Sequence, residues 1–255
     1  MRTKTLVELL ASTYSDVKFI VEPQILPESG VMAIYGRAGT LKSWLSIDLA
    51  FNVAVGNKWL AFPTSKQSVL IVQGENTEMQ YQHRILDYSA NLNGNLPDNI
   101  LFDNDITLKL DNLMGLGLLE QNLKEWKAQS MPNMPKLVIL DCLYQLMAGS
   151  VSSETDLKQF TANIDRLRTE YGCAFVIVHH PRKSGEEDQG FEEMLSSSIL
   201  ANWLDTIIKV SSVPPDADQP DLIQLRFQKV RHAKEVGIGE IRVKWSKTRH
   251  RFSPA

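Results

Sequence analysis

The stretch Gly36-Arg37-Ala38-Gly39-Thr40-Leu41-Lys42-Ser43 has residue types suited to gripping phosphate. It follows a short apolar run, Val31–Tyr35, and precedes a helical pattern over Lys42–Val55, so strand, loop and helix arrive in the order such a site requires. Backbone N–H groups of a loop like this converge on phosphate oxygens, and the helix N-terminus adds partial positive charge. In that chemistry Lys42 neutralises β- and γ-phosphates while the Ser43 hydroxyl ligates Mg²⁺. Leu41 occupies the place where the pattern GxxxxGK[ST] carries glycine. Its side chain either crowds the phosphate or imposes a different turn. The plainer alternative is a glycine-containing turn with Lys42 on the surface.

Two carboxylates stand at other strand ends. Asp141 closes the apolar run Lys136–Leu140, where open α/β sheets place their ligands, and a carboxylate there holds Mg²⁺. An aspartate that merely begins a turn is the alternative. Glu75 follows Val69–Val72 in Gln73-Gly-Glu-Asn-Thr77. It is positioned to orient and polarise a water attacking a γ-phosphate, or simply to favour the positive end of the next helix.

These residues need a scaffold, and the chain supplies the pattern for one. Near-continuous apolar runs at 31–35, 69–72, 137–140, 174–178 and 206–210 read as parallel strands covered on both faces. Helical patterns fall between them at Lys42–Val55, Thr77–Asn91, Leu113–Gln129 and Glu154–Tyr171, with Thr77 and Gln80 as a capping box and Gly172 as a stop. The expected fold is α/β, a mostly parallel central sheet flanked by helices. Beyond it, Leu222–Val230 and Glu240–Trp245 alternate apolar and polar residues around Gly237 and Gly239, as an antiparallel C-terminal hairpin at one sheet edge. Segments 149–153 and 183–190 read as mobile loops.

Composition narrows the class. Of 255 residues 43% are hydrophobic and 22% charged, which excludes a disordered or collagen-like chain. No run approaches the roughly 18 apolar residues that span a bilayer. The N-terminus lacks a long apolar signal core, so a cytoplasmic protein is expected. Cys142 and Cys173 make no disulfide framework and no metal-ligand pair, and Cys142 reads as a small buried apolar residue. Net charge is −3, yet residues 222–252 alone carry +7. That basic segment either attracts phosphates or is a solvated strand face.

With these residues in hand, the chain resembles the RecA-like P-loop ATPases, specifically the RepA-like hexameric replicative helicases, AAA-type relatives of the DnaB- and KaiC-like ATPases. The likeness runs from about Pro23 to Arg231, which implies an N-terminal helical extension over 1–22 and an ATPase domain over 23–255. It includes Leu26-Pro-Glu-Ser-Gly30 leading into the first strand. Gly74-Glu75 with Arg84 nine residues on reproduces a family spacing; the resemblance gives Glu75 the water-activating role and Arg84 a helper role near the nucleotide or a subunit interface. Asp141 matches the Walker B strand. Val178-His-His-Pro-Arg182 is similar to the family's His-His turn, which makes His180 a γ-phosphate sensor. A zinc site at that adjacent pair is disfavoured by its spacing. Phe227-Gln-Lys-Val-Arg231 resembles a Lys-x-Arg element that reaches a neighbouring subunit's site, so Lys229 and Arg231 would act as a finger in trans.

The resemblance implies ATP and Mg²⁺ as ligands, a homo-oligomer that is a hexameric ring, and single-stranded DNA held by loops at 143–160 and 182–198; the segment before the ATPase domain is too short for a primase or loader-binding module, so such a partner is expected to be a different chain. The second loop argues against a simple positive groove, because residues 182–193 hold two cations against Glu186, Glu187, Asp188, Glu192 and Glu193. Backbone amides and Ser196–Ser198 offer uncharged phosphate contacts instead. Two functions follow: a translocase on single-stranded DNA, or a nucleotide-dependent regulatory ATPase that acts through a replication or regulatory protein partner. A site disabled by Leu41 is a third.

Overall fold

The computed structural model describes residues 3–12, 16–90, 92, 94–128, 134–180, 198–213, 221–233 and 239–255. The chain opens with α1 (Leu6–Leu10), capped by Thr5 and Glu8 and without a buried residue. β1 (Phe19–Val21) then pairs antiparallel with β2 (Leu26–Pro27), and Ile20, Val21, Ile25 and Leu26 are buried in the main core.

The apolar runs become strands of one sheet. In chain order the remaining elements are β3 (Val31–Tyr35), α2 (Lys42–Val55), β4 (Val69–Gln73), α3 (Glu78–Ser89), β5 (Ile100–Asp103), α4 (Leu113–Ala128), β6 (Leu137–Asp141) and α5 (Glu154–Tyr171). They continue with β7 (Ala174–His179), α6 (Ser198–Trp203), β8 (Thr206–Ser212), β9 (Leu222–Val230), β10 (Glu240–Ser246) and β11 (Arg251–Pro254). The nine strands lie in the order β11-β10-β9-β8-β3-β7-β6-β4-β5. From β8 to β5 every pairing is parallel, and β9, β10 and β11 are antiparallel additions at the other edge.

Every residue of β3, β4, β6 and β7 is buried, which is why those strands lack polar alternation. One face is covered by α2 and α3 through Leu45, Leu49, Val53, Tyr81 and Tyr88. The other is covered by α4, α5 and α6 through Leu119, Leu123, Phe160, Ile164 and Leu200. The expected caps are present: Thr77 and Gln80 form the capping box of α3, and Gly172 ends α5 at φ 62°. Glycine takes that left-handed conformation at little cost.

β1, β2 and α6 were not expected from the sequence, and three further pieces depart from its pattern. β5 is a partly exposed edge strand, so its four residues carry no continuous apolar signal. β11 is polar, ends in Pro254 and is recognisable only through its pairing with β10. The 149–153 segment, expected to be loose, is tied down. The Asp111 carboxylate accepts the N–H groups of Ala148 and Gly149 (2.9 and 2.7 Å), and Asp156 accepts that of Ser150 at 2.9 Å. The 183–190 loop, with the rest of 181–197, and Gly237 lie outside the described residues.

Candidate nucleotide site

The loop at 36–43 joins the C-terminal end of β3 to the start of α2. Gly36 is forced: a Cβ there would stand 2.2 Å from the Val210 carbonyl oxygen on β8. Gly39 sits at φ 81° and Leu41 at φ 65°, ψ 21°, both left-handed. This backbone is what glycine normally provides before the lysine, and Leu41 adopts it at a cost of about 1–2 kcal/mol. Its side chain packs against the apolar core rather than forming an unsupported rim. The turn has therefore kept a glycine-like conformation. Leu41→Gly would relieve that strain, give back about 0.5–1 kcal/mol in backbone entropy and lose some apolar burial. The expected net change in unfolding free energy is within about 1 kcal/mol, with nucleotide affinity equal or tighter. Denaturant melts and binding titrations check both.

Lys42 is 2% exposed, and its Nζ donates to the Arg37 carbonyl at 2.7 Å and to Thr40 Oγ1 at 3.4 Å. Arg37 and Ala38 themselves are exposed at the loop's outer turn. Burial pushes the Lys42 pKa down to about 8, partly offset by Asp141, Cys142 and Glu75 nearby. A triphosphate would hold the ammonium charged. Above about pH 8, binding must then take up a proton, and affinity should fall by up to about tenfold per pH unit. Titrations of a nonhydrolysable ATP analogue at neutral pH and near pH 9.5 measure this. Equal affinities would place the lysine outside the phosphate site.

Strand register brings the acidic groups to the same end of the sheet. Gln73, Asp141 and Val178 are matched across β4, β6 and β7, so residues one or two positions further on form a cluster. Asp141 is 2% exposed, and neither carboxylate oxygen receives a hydrogen bond of ordinary geometry. Burial raises its pKa to about 6, while the Ser43 hydroxyl close by favours the charged form. Two buried, unpartnered carboxylate oxygens beside a serine hydroxyl fit a divalent cation, since burying a carboxylate without partners is costly.

Glu75 is more exposed than Asp141, and its backbone is fixed from below. The fully buried Gln73 side chain accepts the N–H groups of Glu75 and Asn76 at 2.8 and 2.9 Å and donates to the Asn76 carbonyl at 3.2 Å. Glu75 Oε2 lies 3.9 Å from His180 Nε2 and 3.8 Å from Cys142 Sγ. His180 is half-buried, and burial followed by the Lys42 charge lowers its pKa. The neighbouring His179 is buried, with a pKa pushed down to about 4. Arg84, on α3, places its guanidinium 5.6 Å from the centre of the Trp44 ring, and its charge also favours ionised Asp141.

Lys42, Ser43, Glu75, Asp141, His180 and Arg84 are thus assembled around one loop. Lys229 and Arg231 are not. Val230 pairs with Thr206, and Thr206 with Met32, so the pair sits at the far end of β3, about 13 Å along the strand from Gly36. There Lys229 donates to the Ala201 carbonyl at 2.7 Å, and Arg231 bonds the Asn202 and Leu204 carbonyls and pairs with Asp205 at 2.9 Å. As expected, the two side chains share a side, and they satisfy the free carbonyls at the end of α6.

Sequence reasoning missed Gln73, whose only signal is a polar residue closing an apolar strand. It also missed that Cys142, buried as expected, turns its sulfur to Glu75. A groove of about 770 Å³ between α3, β5 and α4, lined by Tyr81, Ile85, Leu101 and Phe102, contains none of the clustered groups.

The comparisons agree with this architecture. A family model described as an AAA domain matches residues 1–186. A solved structure described as an ATPase domain superposes with a TM-score of 0.69 at 11% identity, covering 98% of this chain and 96% of that one. A DnaB-like replicative helicase, solved with attention to its interactions with primase, gives a TM-score of 0.67 at 12% identity. That match covers 89% of this chain and 57% of the helicase chain. No curated protein matches in sequence. At these identities the shared property is the fold, a RecA-like α/β domain with antiparallel strands added at its C-terminal edge. Among the described residues no helix is long and apolar enough to cross a membrane.

Proposed function

This chain belongs to the AAA domain family, and we propose that it hydrolyses ATP as a ring-forming motor on single-stranded DNA. The observation that carries the ATPase reading is the convergence of the 36–43 loop with Asp141 and Glu75 at the C-terminal ends of β3, β6 and β4. Mg²⁺ bound by Ser43 and Asp141 would supply charge neutralisation at the phosphates. The loop amides and Lys42 bind the β- and γ-phosphates. Glu75 orients a water and takes its proton as the water oxygen bonds to the γ-phosphorus and the bond to the bridging oxygen breaks, releasing ADP and phosphate. His180 meets the γ-phosphate and passes nucleotide state to the segment that follows it. Arg84 steadies the cluster from α3.

Lys229 and Arg231, now engaged with the α6 carbonyls and Asp205, bear on assembly only if a neighbouring chain draws them from those partners. They stand at the opposite end of the sheet from their own loop, so they serve phosphate chemistry only in a neighbour's site. A head-to-tail contact of this kind closes into a ring or runs on as a filament. The hexameric ring, like the DNA substrate, is carried over from the likeness to replicative helicase domains.

The acidic stretch at 186–193 favours a second reading, a nucleotide-dependent regulatory ATPase that contacts a basic surface on a replication or other protein partner. One experiment separates them: ATP turnover with and without single-stranded DNA over a salt series, on protein of measured oligomeric mass. The motor reading predicts stimulation by single strands that fades steeply as salt rises. A rate indifferent to DNA at every salt concentration overturns it in favour of the regulatory reading.

A further inference from the structure

Glu75, Cys142 and His180 bring three different ligand chemistries to one place: a carboxylate oxygen, a thiol sulfur and an imidazole nitrogen. Their ligand atoms all lie within 4.8 Å of one another. Glu75 Oε2 is 3.8 Å from Cys142 Sγ and 3.9 Å from His180 Nε2. They follow three adjacent parallel strands, β4, β6 and β7, so the spacing is set by sheet register rather than by one flexible loop.

Zinc–ligand bonds of about 2.0–2.3 Å put the edges of a tetrahedral site at roughly 3.3–3.8 Å. Two edges of this trio are already close to that, and the third, no longer than 4.8 Å, needs to shorten by at most about 1–1.5 Å. An independent observation points the same way. His180 Nε2 is shielded from solvent and has no hydrogen-bond partner among the described residues. The Cys142 thiol is free and buried, whereas Glu75 is exposed, which leaves a path for an ion. Lys42 opposes a second cation here, and the Asp141 carboxylate beside it offsets that repulsion.

The geometry points to a regulatory binding site for a borderline-soft divalent ion, Zn²⁺ or Co²⁺, made by Glu75, Cys142 and His180 with water as a fourth ligand. Mg²⁺ does not compete, because it requires six oxygen ligands and this set offers one carboxylate. On binding, the Cys142 thiol releases its proton to solvent and the thiolate joins the metal, with no change of oxidation state. The bound ion takes the Glu75 carboxylate out of service while Lys42, Ser43 and Asp141 remain able to bind nucleotide. This inhibition, though not the binding itself, rests on Glu75 as the base.

The test is titration of the full chain with Co²⁺, read by thiolate-to-cobalt charge-transfer absorption, with turnover measured in parallel under buffered free Zn²⁺. One equivalent of Co²⁺ should develop the band, Zn²⁺ should displace it and Mg²⁺ should not. Cys142→Ala should lack the band, keep its basal turnover and lose zinc sensitivity by at least about tenfold. Cys142→Ser, closer in size, repeats the comparison if the alanine variant melts early. No band in the parent protein, or a band that survives in both variants, overturns the site. A cysteine-dependent band without any fall in turnover upholds metal binding and overturns its regulatory effect.

Discussion

Lys42→Ala is expected to lower ATP turnover by about 10³-fold or more and to weaken binding of magnesium–nucleotide. The place of the ammonium is the reason. It is buried beneath the loop, held by the Arg37 carbonyl at 2.7 Å, and is the one cation among the described residues that is both buried and within the field of Asp141 and Glu75. An alternative role in folding predicts a different outcome. Burying this charge already costs desolvation, as its depressed pKa shows, so alanine should leave the melting temperature close to that of the parent. Substantial turnover by a folded Lys42→Ala protein would remove the phosphate assignment.

Glu75→Gln should retain nucleotide binding and lose about 10²–10⁴-fold in turnover. The amide keeps the size of the carboxylate and the backbone bonds from Gln73 are unaffected, so geometry is preserved while the base is lost. If Glu75 served only the positive end of α3, the variant would turn over normally and lose at most about 1 kcal/mol of stability. Single-turnover rates beside equilibrium binding distinguish these outcomes: the base role moves the rate and leaves the dissociation constant in place.

The parts of this site that could be read in the sequence are local ones. Val31–Tyr35, the loop and α2 follow one another along the chain, and each signals itself by apolar continuity, by glycine and by helical spacing. Asp141, closing β6, and Glu75, two residues past β4, were legible as candidates because carboxylates at the ends of buried parallel strands lie where such sheets place ligands, although a turn or a helix start explains each of them alone. What depended on pairing across the sheet was not legible. The opposite placement of Arg231 emerges only when β9 is registered on β8 and β8 on β3. Cys142 gave a correct local signal of burial, yet its approach to Glu75 and His180 is a product of how β6 sits between β4 and β7. β5 and β11 escaped for the same reason, since edge strands with wet faces carry little periodicity of their own. Leu41 is the instructive exception. Its departure from the motif suggested either crowding of the phosphate or a changed turn, but the backbone follows the glycine path and the side chain finds cover against the core.

Whether the 36–43 loop holds a nucleotide is decided by equilibrium binding of a nonhydrolysable ATP analogue with Mg²⁺ to the parent chain and to Lys42→Ala. Saturable binding at one site per chain, much weakened in the variant, is the predicted result. A folded parent protein that binds no analogue, or a variant that binds as tightly as the parent, would contradict it.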